Sequence, residues 1–217
     1  MKDYKYIIMA GGHYAKWQTP RQLVEINGES IIARTIRLLR DAGIQDISIS
    51  TDNPVFQKRF GVPCLVHVNN YYAREYNDMD GYWCNCFYPT DVPTCYIFGD
   101  VVFSPEAIRT IADYDTDDIM LFGSKPPFAP EYPKPYIEPF AFKVADTEHL
   151  KRACSKVRQL DTDGLFNRKP IAWETWNVIH GGDPNEIDYN SYVGINDYTC
   201  DIDNPEEIET ITNAISL

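Results

Sequence analysis

The chain has 217 residues, of which 44% are hydrophobic and 24% are charged. These proportions are typical of a globular protein and exclude a disordered, collagen-like or coiled-coil chain. The length suits one domain, and we expect residues 1–217 to form it. The formal net charge of −12 excludes an extended surface for nucleic acid or for an anionic membrane. Any anionic ligand must therefore meet a local basic loop or a metal ion.

No stretch of the sequence approaches the roughly 20 apolar residues of a membrane span, and the amino-terminal apolar run is short. We therefore expect a cytoplasmic protein without a membrane partner. Whether it forms a homodimer is left open by the sequence. The cysteines at 84 and 86 form a CxC rather than the CxxC pairs of zinc ribbons, with His67 as the one nearby histidine. This pattern favours reduced, buried thiols over a metal site.

The first part of the chain alternates strand patterns with a helix pattern. Tyr6–Ala10 is a continuous apolar run, which predicts a strand buried on both faces of a parallel sheet. Apolar residues at helical spacing behind Ser30, a good N-cap, predict a helix over 30–42. Residues 47–51 and 64–68 are the next predicted strands. This order is the start of an α/β sheet.

The alternation continues to the carboxyl terminus. The further predicted elements are strands over 94–98, 118–122 and 139–144 and helices over 105–112, 147–158, capped by Thr147, and 204–216. Between them, residues 124–138 are rich in proline, so we expect an excursion outside the main sheet as part of an acceptor-side lobe. The predicted fold is a three-layer α/β domain with a mostly parallel central sheet.

The loop after the first strand has features of a phosphate site. Gly11 and Gly12 would let backbone N–H groups approach a ligand closely, and Lys16 and Arg21 bring positive charge to an acidic protein. Such a loop suits a triphosphate, although an ordinary strand-to-helix connection with solvated basic residues is the alternative. The glycine spacing is that of neither a Walker A loop nor a G-x-G-x-x-G loop.

Carboxylates stand at two further positions where ligands bind in α/β sheets. Asp100 follows an apolar strand, so its side chain is expected at the carboxyl edge of the sheet, where it could hold Mg²⁺. Asp201 and Asp203 lie on one face of a short strand just before a helix. Asp100 could instead be an N-cap-like turn residue before Pro105.

Three segments together resemble a known superfamily. The run IIMAGG…TPRQLVEINGESIIARTIRLLRDAGIQDISIST, followed by IFGDVVFS and DIDNPEEIE, resembles the nucleotidyltransferases of the sugar-phosphate, phosphocholine and molybdopterin type. The resemblance implies a Rossmann-like GT-A fold and in-line attack of an acceptor phosphate on the α-phosphorus of an NTP, with release of pyrophosphate. An acceptor phosphate is already ionised at neutral pH, so positioning and charge neutralisation would carry the catalysis.

The resemblance also implies roles for individual residues. Lys16 and Arg21 would be catalytic, and Asp100 and Asp201 would bind one Mg²⁺. The residues implied in nucleotide binding are Ala10, Gly11, Gly12, Asn77 and Gly81.

Aromatic residues and carboxylates suggest where an acceptor would bind. Residues 76–81 occupy the place of an asparagine-rich turn in phosphocholine cytidylyltransferases. The candidate acceptor residues are Asp80, Tyr82, Trp83, Trp173, Glu174, Trp176 and Asp203. Aromatic faces with carboxylates suit an ammonium group, so phosphocholine with CTP is slightly favoured over a sugar phosphate. Packing of these aromatics in the core and at its rim is the alternative.

Two other functions stay open at this point. The first alternative is a nucleotide-binding relative without catalysis. It is suggested by the bulky His13–Lys16 segment and by Arg21, which replaces the usual lysine after proline. Arginine presents a planar fork to a phosphate rather than a compact ammonium. A GT-A glycosyltransferase would share the sheet, but it usually has its Asp-x-Asp after the middle strand. Here Asp-x-Asp stands near the carboxyl terminus, which favours a nucleotidyltransferase.

Overall fold

The computed structural model of the chain describes residues 3–11, 17–67 and 81–215. The strands of this part are β1 (Lys5–Met9), β2 (Glu25–Ile26), β3 (Glu29–Ser30), β4 (Ile47–Thr51), β5 (Cys64–Val66), β6 (Thr94–Phe98), β7 (Val101–Val102), β8 (Ile119–Ser124), β9 (Pro139–Val144), β10 (Val193–Ile195) and β11 (Cys200–Asp201). The α-helices are α1 (Ile31–Asp41), α2 (Pro105–Asp113), α3 (Thr147–Thr162), α4 (Ala172–His180) and α5 (Glu207–Ile215).

Within the described residues, seven strands form the central sheet in the order β10-β8-β9-β6-β1-β4-β5. Strand β1 is parallel to both β4 and β6, while β9 is antiparallel to its neighbours β6 and β8. The predicted mostly parallel α/β sheet is thereby confirmed. Two small antiparallel pairs, β2 with β3 and β7 with β11, lie beside it.

Alternating side chains of the sheet face two separate hydrophobic clusters, because successive residues of a strand point to opposite faces. On β1, Ile8 belongs to a cluster that includes Ile36 of α1 and Ile108 of α2. Its neighbour Ile7 belongs to a cluster with Leu150 of α3 and with side chains of α4. Helices therefore cover both faces of the sheet, as in a three-layer domain.

The caps of the first two helices follow from local sequence. Ser30 Oγ accepts a hydrogen bond from Ala33 N at 3.4 Å, and Ser104 Oγ accepts one from Ala107 N at 2.9 Å. Pro105 occupies the first turn of α2, where its missing N–H costs nothing. Both helices lie within one or two residues of the predicted bounds.

The carboxyl-terminal half differs more from the prediction. Helix α3 continues to Thr162, four residues beyond the predicted end, and its N-cap is Asp146 rather than Thr147. Helix α5 begins at Glu207, three residues later than predicted. Helix α4 and strand β10 were not predicted, because α4 is buried nearly all round and lacks the two-faced pattern of a surface helix.

Residues 125–138 connect β8 to β9 outside the sheet, but the second half of this loop is not a solvent-exposed excursion. Tyr132, Lys134 and Glu138 are all buried. No helix in the described ranges is long and apolar enough to cross a membrane.

Candidate nucleotide-binding site

A cavity lies at the carboxyl ends of the three neighbouring strands β1, β4 and β6. Its lining includes Met9, Ser50 and Phe98 from these strands, and also Gly11 and Asp100. Open α/β sheets bind ligands at this edge. Two of the predicted site residues, Gly11 and Asp100, therefore line one cavity.

The close approach of β1 and β6 at this edge requires a glycine before Asp100. Gly99 N donates a hydrogen bond to Met9 O at 3.0 Å. A Cβ atom on Gly99 would collide with that same carbonyl oxygen. The Gly-Asp pair thus lets the chain leave β6 directly beside β1 and places the aspartate at the cavity.

Arg21 lines the same cavity and is 7% exposed. Its guanidinium donates to the carboxylate of Asp100, to Asp203 Oδ1 at 2.8 Å and to Ile202 O at 2.8 Å. Arg21, which the sequence predicts to bind phosphate, therefore also forms ion pairs with these two carboxylates. Nothing in the sequence around Arg21 indicates this second role.

The two predicted carboxylate loops converge through backbone pairing. In the antiparallel pair of β11 with β7, Asp201 lies opposite Val101, and Ile202 N donates to Asp100 O at 3.1 Å. Burial raises the pKa of Asp100, and the negative charges of Asp201 and Asp203 raise it further, while Arg21 opposes them. The shifted pKa agrees with a crowded group of carboxylates.

A lysine from the proline-rich loop lies among these acidic groups. The ammonium of Lys134 contacts the carboxylate of Asp201, Glu138 Oε1 at 2.8 Å, Asp203 Oδ2 at 3.2 Å and Glu207 Oε2 at 3.4 Å. Burial by itself lowers the pKa of Lys134, but the charges of Asp201 and Glu138 outweigh it and the net shift is upward. Lys134 is therefore a protonated cation held by four acidic side chains.

The donor atoms for a divalent cation are present in this group. Oxygens of Glu138, Asp201 and Asp203 lie within 4.8 Å of one another, and carboxylate oxygens are what Mg²⁺ prefers. The ammonium of Lys134 already contacts all three. As arranged here, the residues do not fit the predicted ion shared by Asp100 and Asp201, because each of these carboxylates is paired with a side-chain cation.

Lys134 and Glu138 are site residues that sequence reasoning missed. The one available signal was the charge pattern near the carboxyl terminus. This part of the sequence has several carboxylates and no lysine or arginine after residue 169, so a cation that pairs with them has to come from elsewhere in the chain. Glu138 is fixed by Tyr132, whose hydroxyl donates to Glu138 Oε2 at 2.6 Å. The loop between β8 and β9 thus reaches the carboxylates of Asp201 and Asp203 through Lys134.

The aromatic residues after position 80 have different surroundings. Trp83 lines the cavity, and its ring centroid lies 5.4 Å from that of Phe87 and 5.6 Å from that of Phe98. Tyr82 is buried, with the Lys169 ammonium 4.1 Å from its ring centroid. Gly81 is also buried. Of these three predicted residues, only Trp83 lines the cavity beside Asp100.

The residues predicted on α4 have packing roles. Trp173 and Trp176 are 4% and 2% exposed, and they pack against Tyr192 and Phe142 with ring centroids 5.1 and 6.3 Å apart. Glu174 is buried and caps its own helix, since its Oε2 accepts from Ile171 N at 3.0 Å. This packing argues against the predicted acceptor role of the three residues and favours the alternative stated for the aromatics.

Four predicted site residues lie outside the described ranges. They are Gly12, Lys16, Asn77 and Asp80. Their roles stay predictions.

Solved structures with the same fold include three enzymes whose names state a nucleotide transfer. A CTP:phosphocholine cytidylyltransferase from Streptococcus pneumoniae is 16% identical, with a TM-score of 0.55 over 99% of this chain and 100% of that one. An inositol-1-phosphate CTP transferase from T. maritima is 14% identical, with a TM-score of 0.58 over 99% and 97%. A putative glucose-1-phosphate thymidylyltransferase from Bacillus anthracis is 15% identical, with a TM-score of 0.57 over 97% and 94%. At these identities the likeness shows the fold.

A search of curated proteins finds no significant match to the sequence. A family model does match, namely that of the MobA-like NTP transferase domain, over residues 6–162. This range includes the glycine loop, the strand before Asp100 and helices α1 to α3. With most of its length matched by that model and the expected sheet and cavity in place, the chain belongs to the MobA-like NTP transferase family.

Proposed function

We propose that this protein transfers a nucleotidyl group from an NTP to a small phosphorylated acceptor and releases pyrophosphate. The observation that carries the proposal is the cavity at the carboxyl ends of β1, β4 and β6, lined by Gly11, Arg21 and Asp100, in a member of an NTP transferase family. Ligands of open α/β sheets bind at this edge.

In the proposed reaction, an oxygen of the acceptor phosphate attacks the α-phosphorus of the NTP. A new P–O bond forms there, the bond to the β-phosphate oxygen breaks, and pyrophosphate leaves. The acceptor oxygen is already ionised at neutral pH, so no side chain has to remove a proton. The protein contributes position and charge: backbone groups at Gly11 face the cavity, and Arg21 holds Asp100 at its edge.

The position of Trp83 in the cavity lining supports the proposal that a base or an acceptor head group binds there. It is the aromatic residue beside Asp100 that sequence reasoning named and that lines the cavity. We propose CTP as the favoured nucleotide and phosphocholine or a related phosphorylated alcohol as the acceptor, with a sugar phosphate as the other choice. The names of the S. pneumoniae and T. maritima proteins with this fold agree with CTP, and that of the B. anthracis protein agrees with a sugar phosphate.

The Mg²⁺ requirement and the cytoplasmic location stay predictions, and the oligomeric state stays open. No step of the proposed reaction is assigned to the ion, because Asp100 and Asp201 are paired with Arg21 and Lys134.

One observation favours a second candidate, a nucleotide-binding relative without catalysis. The carboxylates predicted to hold a metal ion are bound by side-chain cations. Such an arrangement would keep the cavity and its nucleotide but would not promote transfer.

Pyrophosphate release separates the two candidates. The purified protein is incubated with CTP, UTP, GTP or ATP, each with phosphocholine or glucose 1-phosphate, and with Mg²⁺ or EDTA. We expect release with CTP and phosphocholine above all other pairs, and loss of release in Asp100→Asn. Saturable nucleotide binding without release from any pair would establish the non-catalytic candidate instead.

A further inference from the structure

The ammonium of Lys134 is surrounded by carboxylates and shielded from water. The side chain is 4% exposed, and its contacts are Glu138 Oε1 at 2.8 Å, the carboxylate of Asp201, Asp203 Oδ2 at 3.2 Å and Glu207 Oε2 at 3.4 Å. A lysine is rarely buried unless it is paired. Here four acidic side chains surround one ammonium.

The same oxygens are those a divalent cation would use. Glu138, Asp201 and Asp203 offer oxygens within 4.8 Å of one another. A bound Mg²⁺ would need to lie about 2.1 Å from its oxygen ligands, which would bring it against the positively charged Nζ of Lys134. One cation or the other can hold the three carboxylates.

The backbone around Lys134 and the carboxylate of Glu138 are both restrained. Pro133 and Pro135 flank it and fix their own φ angles. Nearby, Tyr132 stacks on Phe128 with ring centroids 4.8 Å apart and donates its hydroxyl to Glu138 Oε2. Glu138 therefore cannot swing away from Lys134 without losing a buried hydrogen bond.

We propose that Lys134 is the resident cation of the cluster formed by Glu138, Asp201 and Asp203, and that it excludes divalent metal ions from these carboxylates. Its ammonium replaces a metal ion in two respects. It offsets part of the negative charge of the carboxylates, and it joins the loop between β8 and β9 to strand β11. This inference goes beyond the proposed transfer reaction and does not depend on it.

Manganese binding in the absence of nucleotide tests the proposal. Mn²⁺ is titrated into the wild-type protein, Asp201→Asn, Lys134→Met, Lys134→Arg and the double variant Lys134→Met/Asp201→Asn. Bound Mn²⁺ is followed by electron paramagnetic resonance. Methionine keeps the length of the side chain without its charge, and arginine keeps the charge. We expect Lys134→Met to bind one Mn²⁺ at least about tenfold more tightly than the wild type and Lys134→Arg. The double variant should lose this binding.

Two results would overturn the proposal. In one, the wild type binds one Mn²⁺ as tightly as Lys134→Met does, and Asp201→Asn alone abolishes that binding. In the other, Lys134→Met folds but gains no Mn²⁺ site, so that the lysine is not what excludes the ion.

If Lys134→Met does not fold, a measurement on the wild-type protein tests the proposal instead. Its thermal unfolding is compared in Mg²⁺ and in EDTA, with Asp201→Asn as the control. The proposal predicts the same midpoint in both solutions, since no ion binds the cluster. A rise in Mg²⁺ that Asp201→Asn removes would overturn it. No nucleotide is present in either measurement, so a failure here is distinct from a failure to release pyrophosphate.

Discussion

Arg21 and Asp203 are separated by 182 residues in the chain and joined by a hydrogen bond of 2.8 Å from the guanidinium to Oδ1. The same guanidinium binds the carboxylate of Asp100 and the carbonyl oxygen of Ile202. The loop after β1, the turn after β6 and the segment after β11 are thus joined at one edge of the central sheet. A single buried arginine holds the three predicted functional loops together.

Replacement of Arg21 should therefore affect folding as well as catalysis. Arg21→Ala leaves the mostly buried Asp100 without its cation, and breaking a buried pair costs about 3 kcal/mol. The free energy of unfolding from urea titration measures this loss. Because Arg21 also lines the cavity beside Asp100, the same variant should slow turnover.

Arg37→Ala is the matched control for this variant. Arg37 pairs with Glu29 at 2.7 Å, but both side chains are partly exposed, so its loss should cost less than about 1 kcal/mol. Equal losses for Arg21→Ala and Arg37→Ala would contradict the structural role given to Arg21.

The pair of Glu29 with Arg37 also predicts a pH dependence. The hydrogen bond from Arg37 lowers the pKa of Glu29 below its usual value. The stabilisation is therefore present above the ordinary pKa of glutamate and is lost as the pH falls through the lower, folded value. We expect wild type and Arg37→Ala to differ in unfolding free energy at pH 7 and to converge in acid. A difference that stays constant down to the acid limit would show that Glu29 does not cause it.

Substitutions of two tryptophans should distinguish a residue of the core from a residue of the cavity. Trp176→Ala should destabilise the fold by about 3–5 kcal/mol, because a large buried ring is removed from between β9 and α4. Trp83→Ala should instead raise the KM of the nucleotide or the acceptor, because Trp83 lines the cavity. Unfolding curves and steady-state kinetics on both variants check this. A folded Trp176→Ala protein with an altered acceptor KM would restore the acceptor role that its burial argues against.

Gly99 should tolerate no side chain. Gly99→Ala drives a Cβ into Met9 O, and overpacking of this kind typically costs about 1–3 kcal/mol. The strain falls where β1 and β6 pair beside Asp100. Gly164→Ala is a useful comparison, since Gly164 has a φ of +69° but nothing within 4 Å of an added Cβ. Gly99→Ala should lower pyrophosphate release per folded molecule, whereas Gly164→Ala should change stability alone.

Local patterns in the sequence determined most of the sheet and its first helices. Strands β6 and β9 have the predicted bounds, 94–98 and 139–144, because a buried strand is a short apolar run wherever it lies. Helix α1 follows from its apolar spacing and Ser30. The position of Asp100 at the carboxyl edge also follows from sequence, since it comes directly after an apolar strand and a glycine.

The tertiary structure alone decided which groups meet at that edge. Lys134 and Asp201 are 67 residues apart, and no local pattern relates a lysine in a proline-rich loop to an aspartate before the last helix. The burial of Trp173 and Trp176 likewise depends on partners from β9 and from residue 192. Periodicity records which face of an element is apolar, because that is a local property of the chain. Charge pairing is decided by contacts between distant segments, and these exist only once the sheet has assembled.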